Sequence, residues 1–215
     1  ITFTNKAANE MKDRVIELVG NRAKAMWVST FHSACVRILR SDAQALGYSN
    51  SFTIYDASDS LRLVTLVMKD MNLDPKRYNS RAIASLISDA KNELMGPADF
   101  AQTVKNQFDE IVAEVFTHYQ KRLTTANAMD FDDLIGRTVE LFQRHPEVRA
   151  KYRSRFKHIL VDEYQDTNHA QYVLIRELVG VTYDGFPQAE LCVVGDSDQS
   201  IYAFRGANIR NILQF

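Results

Sequence analysis

The sequence has few cysteines, prolines and tryptophans, and it has no long hydrophobic run. Its 215 residues include two cysteines, four prolines and one tryptophan. No apolar run approaches the ~20 residues that a membrane-spanning helix needs, and the first residues do not resemble a signal peptide. Cys35 and Cys192 lie in apolar stretches, so we expect buried free thiols and no disulfide framework. These features favour a cytoplasmic location.

The sequence also lacks an excess of charge of either sign. Its formal net charge is −1, with 25% charged and 46% hydrophobic residues, which is the composition of an ordinary globular protein. No overall positive field is available to attract nucleic acid. Any nucleic-acid surface must therefore be local, built from a few groups in a groove.

The length of the chain allows one large domain or two small ones. The chain begins at Ile1 within a predicted strand and ends at Phe215, shortly after a predicted helix begins. We therefore expect a fragment of a larger protein.

Strands and helices are predicted to alternate at both ends of the chain. Short strands over 1–3 and 25–30 are each followed by apolar residues at helical spacing, a pattern typical of a parallel α/β sheet. No strand is evident between about 57 and 126, where several helical patterns follow one another. We therefore predict an α/β fold with an inserted all-helical subdomain. The predicted bounds are 1–51 and 128–215 for the α/β unit and 52–127 for the insert.

Two short apolar runs, which predict buried strands, end in polar and acidic residues. Asp162 and Glu163 follow the first run, and Asp196, Asp198 and Gln199 follow the second. Ligands of open α/β sheets bind beyond the carboxyl ends of the strands. Asp162 is suited to hold Mg²⁺ and Glu163 to polarise a water, the division of roles that phosphoryl transfer needs. The Gln199 amide is suited to sense a γ-phosphate. The alternative for both runs is an ordinary surface turn.

Several turns offer groups that suit nucleic acid. Tyr202 and Phe204 alternate in a polar turn and precede Arg205, which fits a stacking platform for single-stranded bases, although aromatics at this spacing more often belong to a core. Near the start, two strand-to-helix turns are rich in hydroxyls and amides, which suit phosphate oxygens. Each of these turns taken alone is more typical of a helix cap. Their candidate residues are Phe3, Thr4, Asn5, Thr30 and His32.

Other charged groups are interpreted as structural. Asp130, Asp132 and Asp133 open a predicted helix, where the helix dipole alone favours acids. A metal-dependent hydrolase built on them is therefore a weak alternative. The basic residues of the helical stretch are interpreted as a solvated face and include Lys91, Lys105, Lys121 and Arg122.

Six segments resemble motifs of superfamily 1 DNA helicases of the UvrD/Rep/PcrA type, and the PcrA branch most closely. They are residues 2–11 (motif Ia), 29–33 with 37–40 (motif Ib), 161–168 (motif II), 194–207 (motif III), and the segments 52–56 and 130–134 that flank the helical stretch. The resemblance covers the whole chain, and motifs II and III together are highly specific.

The resemblance implies a RecA-like parallel sheet, ATP and Mg²⁺ as cofactors, and single-stranded DNA and single-strand/duplex junctions as partners. By motif, Asp162 would be the Mg²⁺ ligand, Glu163 the catalytic base and Gln199 the γ-phosphate sensor. Phe3, Tyr202 and Phe204 would contact bases, with Thr30, His32 and Arg205 nearby on the DNA path. The family implies 3′→5′ translocation and duplex unwinding in DNA repair or replication. Phe204 stands where relatives often carry tryptophan.

The sequence departs from the family in what it lacks. It contains no G-x-x-x-x-G-K-[ST] segment, the loop that cradles phosphates. The family's adenine-contacting glutamine and its second lobe are also missing. We therefore expect the isolated chain to be inactive in ATP hydrolysis and in unwinding. A non-catalytic DNA- or protein-binding module and a helicase subunit of a helicase–nuclease stay open as alternatives.

Overall fold

The structure, a computed structural model, describes residues 1–180, 188–196 and 198. Within these ranges the fold is α/β and mostly helical. The first elements are α1 (Asn5–Val19), a 3₁₀ helix (Gly20–Ala25), α2 (Phe31–Asp42), a 3₁₀ helix (Ala43–Leu46) and β1 (Thr53–Tyr55). Helices α3 (Ala57–Asp70), α4 (Ser80–Asn92), α5 (Pro97–Ala101) and α6 (Gln107–Thr125) follow. The chain continues through β2 (Ala128–Asp130), α7 (Phe131–Arg144), α8 (Pro146–Arg155), β3 (His158–Val161), a 3₁₀ turn (Tyr164–Asp166), α9 (His169–Val179) and β4 (Glu190–Val193).

The strands pair in parallel, as the sequence predicts. β1 pairs with β2, and β3 pairs with β4. Beside β3, the amide of Asp162 donates to the carbonyl of Ile1 at 3.0 Å, and Thr2 forms a parallel bridge with Thr30. The first residues therefore lie between Thr30 and β3. Four segments lie side by side in the order Thr30, the first residues, β3 and β4, and their carboxyl ends meet at one edge.

The predicted strands at 1–3 and 25–30 are wrong in extent. Each is reduced to a single bridge residue, Thr2 or Thr30. Residues Gly20–Ala25 form a 3₁₀ helix, and the amide of Met26 closes it by donating to Ala23 at 3.1 Å. At the other segment, helix α1 begins at Asn5 and leaves little room for a strand before it.

Buried apolar residues form two clusters. The first draws on α2, α7, α8, α9 and strands β3 and β4, and its largest fully buried members include Phe31, Phe52 and Phe142. The second lies among α3, α4 and α6 and includes Ile83, Phe116 and Tyr119. Helix α7 packs on both α2 and α9, so it forms the centre of the first cluster.

One face of the β3–β4 pair is exposed. Ile159 and Val161 are buried, whereas Leu160 is 62% exposed, because successive side chains of a strand point to opposite faces. Cys192 of β4 is also exposed, and both cysteines are free thiols. The expectations of a fully buried strand and of a buried Cys192 are therefore wrong. Cys35 is fully buried as expected, and burial raises the pKa of its thiol to about 12.

Among the residues that the structure describes, no helix is both long and apolar enough to cross a bilayer.

Candidate nucleotide and nucleic-acid site

Asp162 and Glu163 lie at the carboxyl end of β3, as the sequence predicts. Asp162 is half-buried, and Glu163 is exposed. Glu163 has φ 52° and ψ 41°, a left-handed conformation that costs a residue with a Cβ roughly 1–2 kcal/mol. Such strain is concentrated at functional sites. The turn that follows at once, Tyr164–Asp166, redirects the chain and leaves both carboxylates at the sheet edge.

The ends of β3 and β4 are held side by side beyond the strands themselves. The amide of Val194 donates to the carbonyl of Val161 at 2.8 Å, and the amide of Tyr164 donates to the carbonyl of Val194 at 2.9 Å. A side-chain bridge lies next to this ladder: Gln165 contacts both the Glu163 carboxylate and the Asp196 amide. The two strand ends singled out in the sequence are thus joined directly. Sequence reasoning missed Gln165, although it belongs to the same motif as Glu163.

The donor set at this edge fits Mg²⁺. Mg²⁺ takes oxygen ligands and is usually held by one or two carboxylates together with substrate phosphates. One oxygen of Asp166, Oδ1, is buried without a hydrogen-bond partner, and burial followed by the charge of Glu163 raises the pKa of this carboxyl. Among residues 1–180, 188–196 and 198, no group of three or more His, Cys, Asp or Glu side chains is arranged to hold a metal ion.

The two threonines of the first turns serve as helix caps. Thr4 Oγ1 accepts from the amide of Ala7 at 3.1 Å at the start of α1. Thr30 Oγ1 accepts from the amide of Ser33 at 3.2 Å at the start of α2. Capping accounts for both hydroxyls. The backbone amides of two helix starts nevertheless lie near each other, because Thr2 and Thr30 are bridged.

An open groove of about 390 Å³ runs between these turns and α7. It is lined by Phe3, Asn5, Thr30, His32, Ser33, Val36, Ile54, Phe131 and Leu134. Four of the sequence-predicted residues are therefore brought together, and Thr4 is exposed beside them. Phe131 was not predicted: it is 47% exposed, and its ring meets that of His32 edge-to-face at 5.8 Å.

His32 contributes a neutral ring to this groove. Burial lowers the pKa of its imidazole from the ordinary value of 6.5. At neutral pH the ring is therefore uncharged, and it offers stacking and hydrogen bonding rather than charge attraction to phosphate. The groove is thus aromatic and weakly charged, a character that suits bases more than phosphates.

Four predicted residues, Gln199, Tyr202, Phe204 and Arg205, lie outside the described residues. The second strand end is seen only up to Asp196 and Asp198. There the amide of Asp198 donates to a carboxylate oxygen of Asp196 at 2.9 Å.

The acidic group at the start of α7 is a buried ion-pair cluster. The ammonium of Lys91 lies 2.6 Å from Asp130 and 3.0 Å from Asp133. The interpretation of Lys91 as a solvated residue is wrong: its side chain is only 7% exposed. Burial opposes the charge of Lys91, but the two carboxylates outweigh it and raise its pKa. Because Asp130 and Asp133 share Lys91 as an ion-pair partner, this cluster does not support the metal-hydrolase alternative.

The whole chain, residues 1–215, matches the family described as UvrD/REP helicase N-terminal domain. It is 59% identical over 220 residues to ATP-dependent DNA helicase UvrD1 of Mycobacterium tuberculosis (strain ATCC 25618 / H37Rv), covering 100% of this chain and 28% of that protein. It is 50% identical over 215 residues to ATP-dependent DNA helicase PcrA of Bacillus subtilis (strain 168), again covering 100% of this chain and 28% of the relative.

The chain thus spans 28% of the length of these two relatives. Its identity to UvrD1 exceeds its identity to PcrA, the branch that the motifs favoured. A match over every residue, and not over the motifs alone, places the chain in the UvrD/REP helicase N-terminal domain family.

Proposed function

We propose that this chain supplies the ATP-hydrolysing edge and part of the single-stranded DNA path of an ATP-dependent DNA helicase. One observation carries the proposal: Asp162 and Glu163 lie at the carboxyl end of β3, next to the backbone that follows the parallel strand β4. This is the place where open α/β sheets bind their ligands. Both relatives bear the name ATP-dependent DNA helicase, which supports the same activity here.

In this proposal Asp162 holds Mg²⁺ and Glu163 is the general base. Mg²⁺ supplies neutralisation of charge on the phosphate oxygens when it is bound. Glu163 is exposed at the edge of the sheet, where it accepts a proton from the attacking water through its carboxylate. Gln199 would bond the γ-phosphate; its role rests on the motif alone.

The groove between the first turns and α7 is proposed to bind single-stranded DNA. Phe3, His32 and Phe131 bring three rings to its walls, and aromatic rings stack on bases of any sequence. The remaining proposed contacts are Thr4, Asn5, Thr30, Tyr202, Phe204 and Arg205. Binding at single-strand/duplex junctions and 3′→5′ movement rest on the family resemblance.

The two apolar clusters support the proposed domain organisation. Apart from Ala128, the cluster of α3, α4 and α6 falls inside 52–127, and most of the other cluster falls inside 1–51 and 128–215. We interpret the residues around the cluster of α2, α7, α8 and α9 as a RecA-like unit. We interpret the residues around the cluster of α3, α4 and α6 as a helical subdomain inserted into that unit.

The decisive test is ATP hydrolysis by the full-length protein that contains this chain, with and without single-stranded DNA. Glu163→Gln keeps the size of the side chain and removes the base. We expect turnover to fall by at least a hundredfold, while affinity for ATP and DNA is retained. Glu114→Gln, on the exposed surface of α6, is the matched control and should leave turnover unchanged. Full turnover by Glu163→Gln would remove Glu163 from the chemistry.

The same assay addresses the non-catalytic alternative. The 215 residues contain no phosphate-cradling G-x-x-x-x-G-K-[ST] segment, so we expect the isolated chain to show no turnover. If the full-length protein also shows none, yet binds single-stranded DNA, the binding-module alternative is the correct one.

A further inference from the structure

Gln165 is a buried polar side chain in direct contact with the proposed base. It lies in the middle of the Tyr164–Asp166 turn and is 1% exposed. Its Nε2 donates to Oε2 of Glu163 at 2.7 Å, and its Oε1 accepts from the backbone amide of Asp196 at 3.1 Å. One carboxamide thus joins Glu163, at the carboxyl end of β3, to the segment after β4.

The two partners fix the orientation of this amide. A carboxylate only accepts hydrogen bonds, and a backbone N–H only donates them. Rotating the amide by half a turn would set its oxygen against the Glu163 carboxylate and its NH₂ group against the Asp196 N–H, and both contacts would be lost. Gln165 therefore has a single satisfied state, in which the position of Glu163 depends on the position of the β4 end.

The absence of a side chain at Gly195 makes this bridge possible. A Cβ at Gly195 would lie 2.7 Å from Oε1 of Gln165 and 3.2 Å and 3.3 Å from the backbone nitrogens of Gln165 and Tyr164. Two of these three atoms belong to the backbone, which cannot rotate away. The chain after β4 therefore approaches the turn as closely as it does only because glycine occupies this position.

The hydrogen bond has a clear consequence for Glu163. An exposed glutamate loses roughly 1.5–2 kcal/mol of rotamer freedom when it is held in one position, so its carboxylate would otherwise be spread over several orientations. A general base must lie within hydrogen-bond reach of its water. The Gln165 amide supplies one fixed contact from a rigid, buried donor.

We propose that Gln165 is a positioning residue for ATP hydrolysis: its buried carboxamide holds the Glu163 carboxylate in register with the segment after β4. The proposal rests on the role of Glu163 proposed above. Because Gln199 follows Asp196 by three residues in the sequence, the bridge also ties the base to the segment that leads to the proposed γ-phosphate sensor.

The test uses DNA-stimulated ATP hydrolysis by the full-length protein with Gln165→Met and Gln165→Glu. Gln165→Met keeps the length and burial of the side chain and removes both hydrogen bonds. We expect kcat to fall by roughly tenfold to a hundredfold, as for loss of a hydrogen bond to a charged group, with KM for ATP and Kd for oligo(dT) within about twofold of wild type. Gln165→Glu is isosteric and places a second carboxylate against Glu163, so its kcat should fall at least as far.

Gln120→Met is the matched control for loss of a buried amide. Gln120 is also buried, and its Nε2 donates to a carboxylate, that of Asp133, at 3.1 Å. It lies outside the proposed site, so Gln120→Met should lower the thermal midpoint and leave kcat unchanged.

A double variant separates positioning from packing. If Gln165 acts through Glu163, adding Gln165→Met to Glu163→Gln should not lower the residual rate further. Wild-type kcat in either Gln165 variant would overturn the proposal. So would a further loss in the double variant, or a rise of KM and Kd that matches the loss of kcat. Full turnover by Glu163→Gln alone would instead contradict the proposed function, so the two failures are distinguishable.

Discussion

At the scale of single residues, two glycines differ in whether the structure has room for a side chain at their position. Gly195 lies where a Cβ would meet backbone atoms, whereas Gly136 lies within α7 with only a Leu94 methyl at 4.0 Å from the position of a Cβ. Glycine inside a helix is destabilising because it loses more conformational freedom on folding. The first glycine is therefore required by packing, and the second is not.

This contrast predicts opposite effects for the same substitution. Gly195→Ala should lower the thermal midpoint of the full-length protein, with a cost of roughly 1–3 kcal/mol for overpacking. It should also reduce ATP turnover, because the Gln165 bridge is displaced. Gly136→Ala should raise the midpoint, with a gain of about 0.5–1 kcal/mol. Thermal unfolding of both variants at one pH checks the pair, and equal shifts would show that Gly195 is not in close contact.

Asp132 has a perturbed carboxyl group with a consequence for pH dependence. Burial, and then the charge of Asp130, raises its pKa from 3.8 to about 6. A raised carboxyl pKa means that the folded state holds the proton more tightly. The stabilisation of the folded state by this tighter proton binding is complete below about pH 4 and is lost as pH rises through about 6.

Asp132→Asn should therefore stabilise the protein, and more so at pH 8 than at pH 5. Asparagine stays neutral at both pH values, so it avoids an unfavourable charge at this half-buried position only at the pH where aspartate would carry one. The measurement is the thermal midpoint of each protein at the two pH values. Asp13→Asn, on the exposed surface of α1, should shift the midpoint by the same small amount at both. A pH-independent effect of Asp132→Asn would contradict the raised pKa.

Residue roles differ in how far the sequence reveals them. Asp162 and Glu163 are predictable, because an apolar run followed by acids places carboxylates at a strand end. The Gln165 bridge is not, since its second partner, Asp196, is 31 residues away and is reached only through the register of β3 and β4. The burial of Lys91 cannot be predicted from the sequence for the same reason. Its ion-pair partners, Asp130 and Asp133, lie on β2 and α7, 39 or more positions later in the chain.

At the scale of elements, α7 serves two sites at once. Its first residue, Phe131, faces the groove, and Asp133 in the same turn contacts Lys91. Its other side packs in the first apolar cluster through residues such as Leu141 and Phe142. The position of the Phe131 ring is thus fixed by a rigid helix and not by a loop.

The groove makes Phe131 a testable contact for single-stranded DNA. Stacking on one base contributes about 1–3 kcal/mol, so Phe131→Ala should raise Kd for oligo(dT) about 5- to 150-fold. The dependence of Kd on salt concentration should keep its slope, because the ring neutralises no phosphate. Fluorescence anisotropy of the full-length protein measures both quantities.

Leu66→Ala is the control for Phe131→Ala. Leu66 lies on α3, away from the groove, and is 44% exposed. The Leu66→Ala variant therefore removes an apolar side chain about as exposed as that of Phe131. Its Kd should equal that of wild type. If Phe131→Ala also binds oligo(dT) as wild type does, the DNA path does not include this end of α7.

Helices follow from the sequence better than strands do in this chain. The apolar pattern predicts a helix from about Ser80 to Glu93, and the structure has one at Ser80–Asn92, because the periodicity of a helix and its end signals are local. The strands at 1–3 and 25–30 fail because pairing depends on distant partners. The 3₁₀ helix over Gly20–Ala25 also takes in Ala25, the first residue of the strand predicted at 25–30.

At the scale of the whole molecule, the two apolar clusters meet at the carboxyl end of α4. Lys91 reaches Asp130 and Asp133, and its neighbour Asn92 accepts from Nδ2 of Asn168 at 2.7 Å. Asn168 caps α9, just after the turn that carries Gln165. The helical stretch is therefore joined by polar contacts to the element that follows the proposed catalytic turn.

The Lys91 cluster is nearly closed to solvent. The Tyr119 hydroxyl donates to Asp130 at 2.7 Å, and Gln120 donates to Asp133. Burial would raise the pKa of Asp130, but the charge of Lys91 and the hydrogen bonds that Asp130 accepts from Lys91, the Asp133 amide and Tyr119 outweigh it and lower the pKa. The stabilisation by a carboxylate with a lowered pKa is present above pH 4 and is lost as pH falls through the folded value.

Removing the lysine should destabilise the molecule much more than removing an exposed one. Lys91→Met leaves the buried Asp130 carboxylate without its countercharge and leaves Asp133 paired with Arg137 alone, at 3.8 Å, at a cost of roughly 3–5 kcal/mol. We expect a large fall in the thermal midpoint at pH 7. Lys121→Met, on the exposed side of α6, makes the same chemical change where the charge is solvated, and its effect should stay within about 0.5 kcal/mol.

A rescue variant identifies charge as the cause. Adding Asp130→Asn and Asp133→Asn to Lys91→Met removes the uncompensated charges while an asparagine at 130 can still cap α7. Replacing every member of a buried ionic group is often close to neutral, whereas removing one partner is not. The triple variant should therefore melt above Lys91→Met. If it melts below, the cluster stabilises the junction between the two apolar clusters through packing and hydrogen bonds and not through its ion pairs.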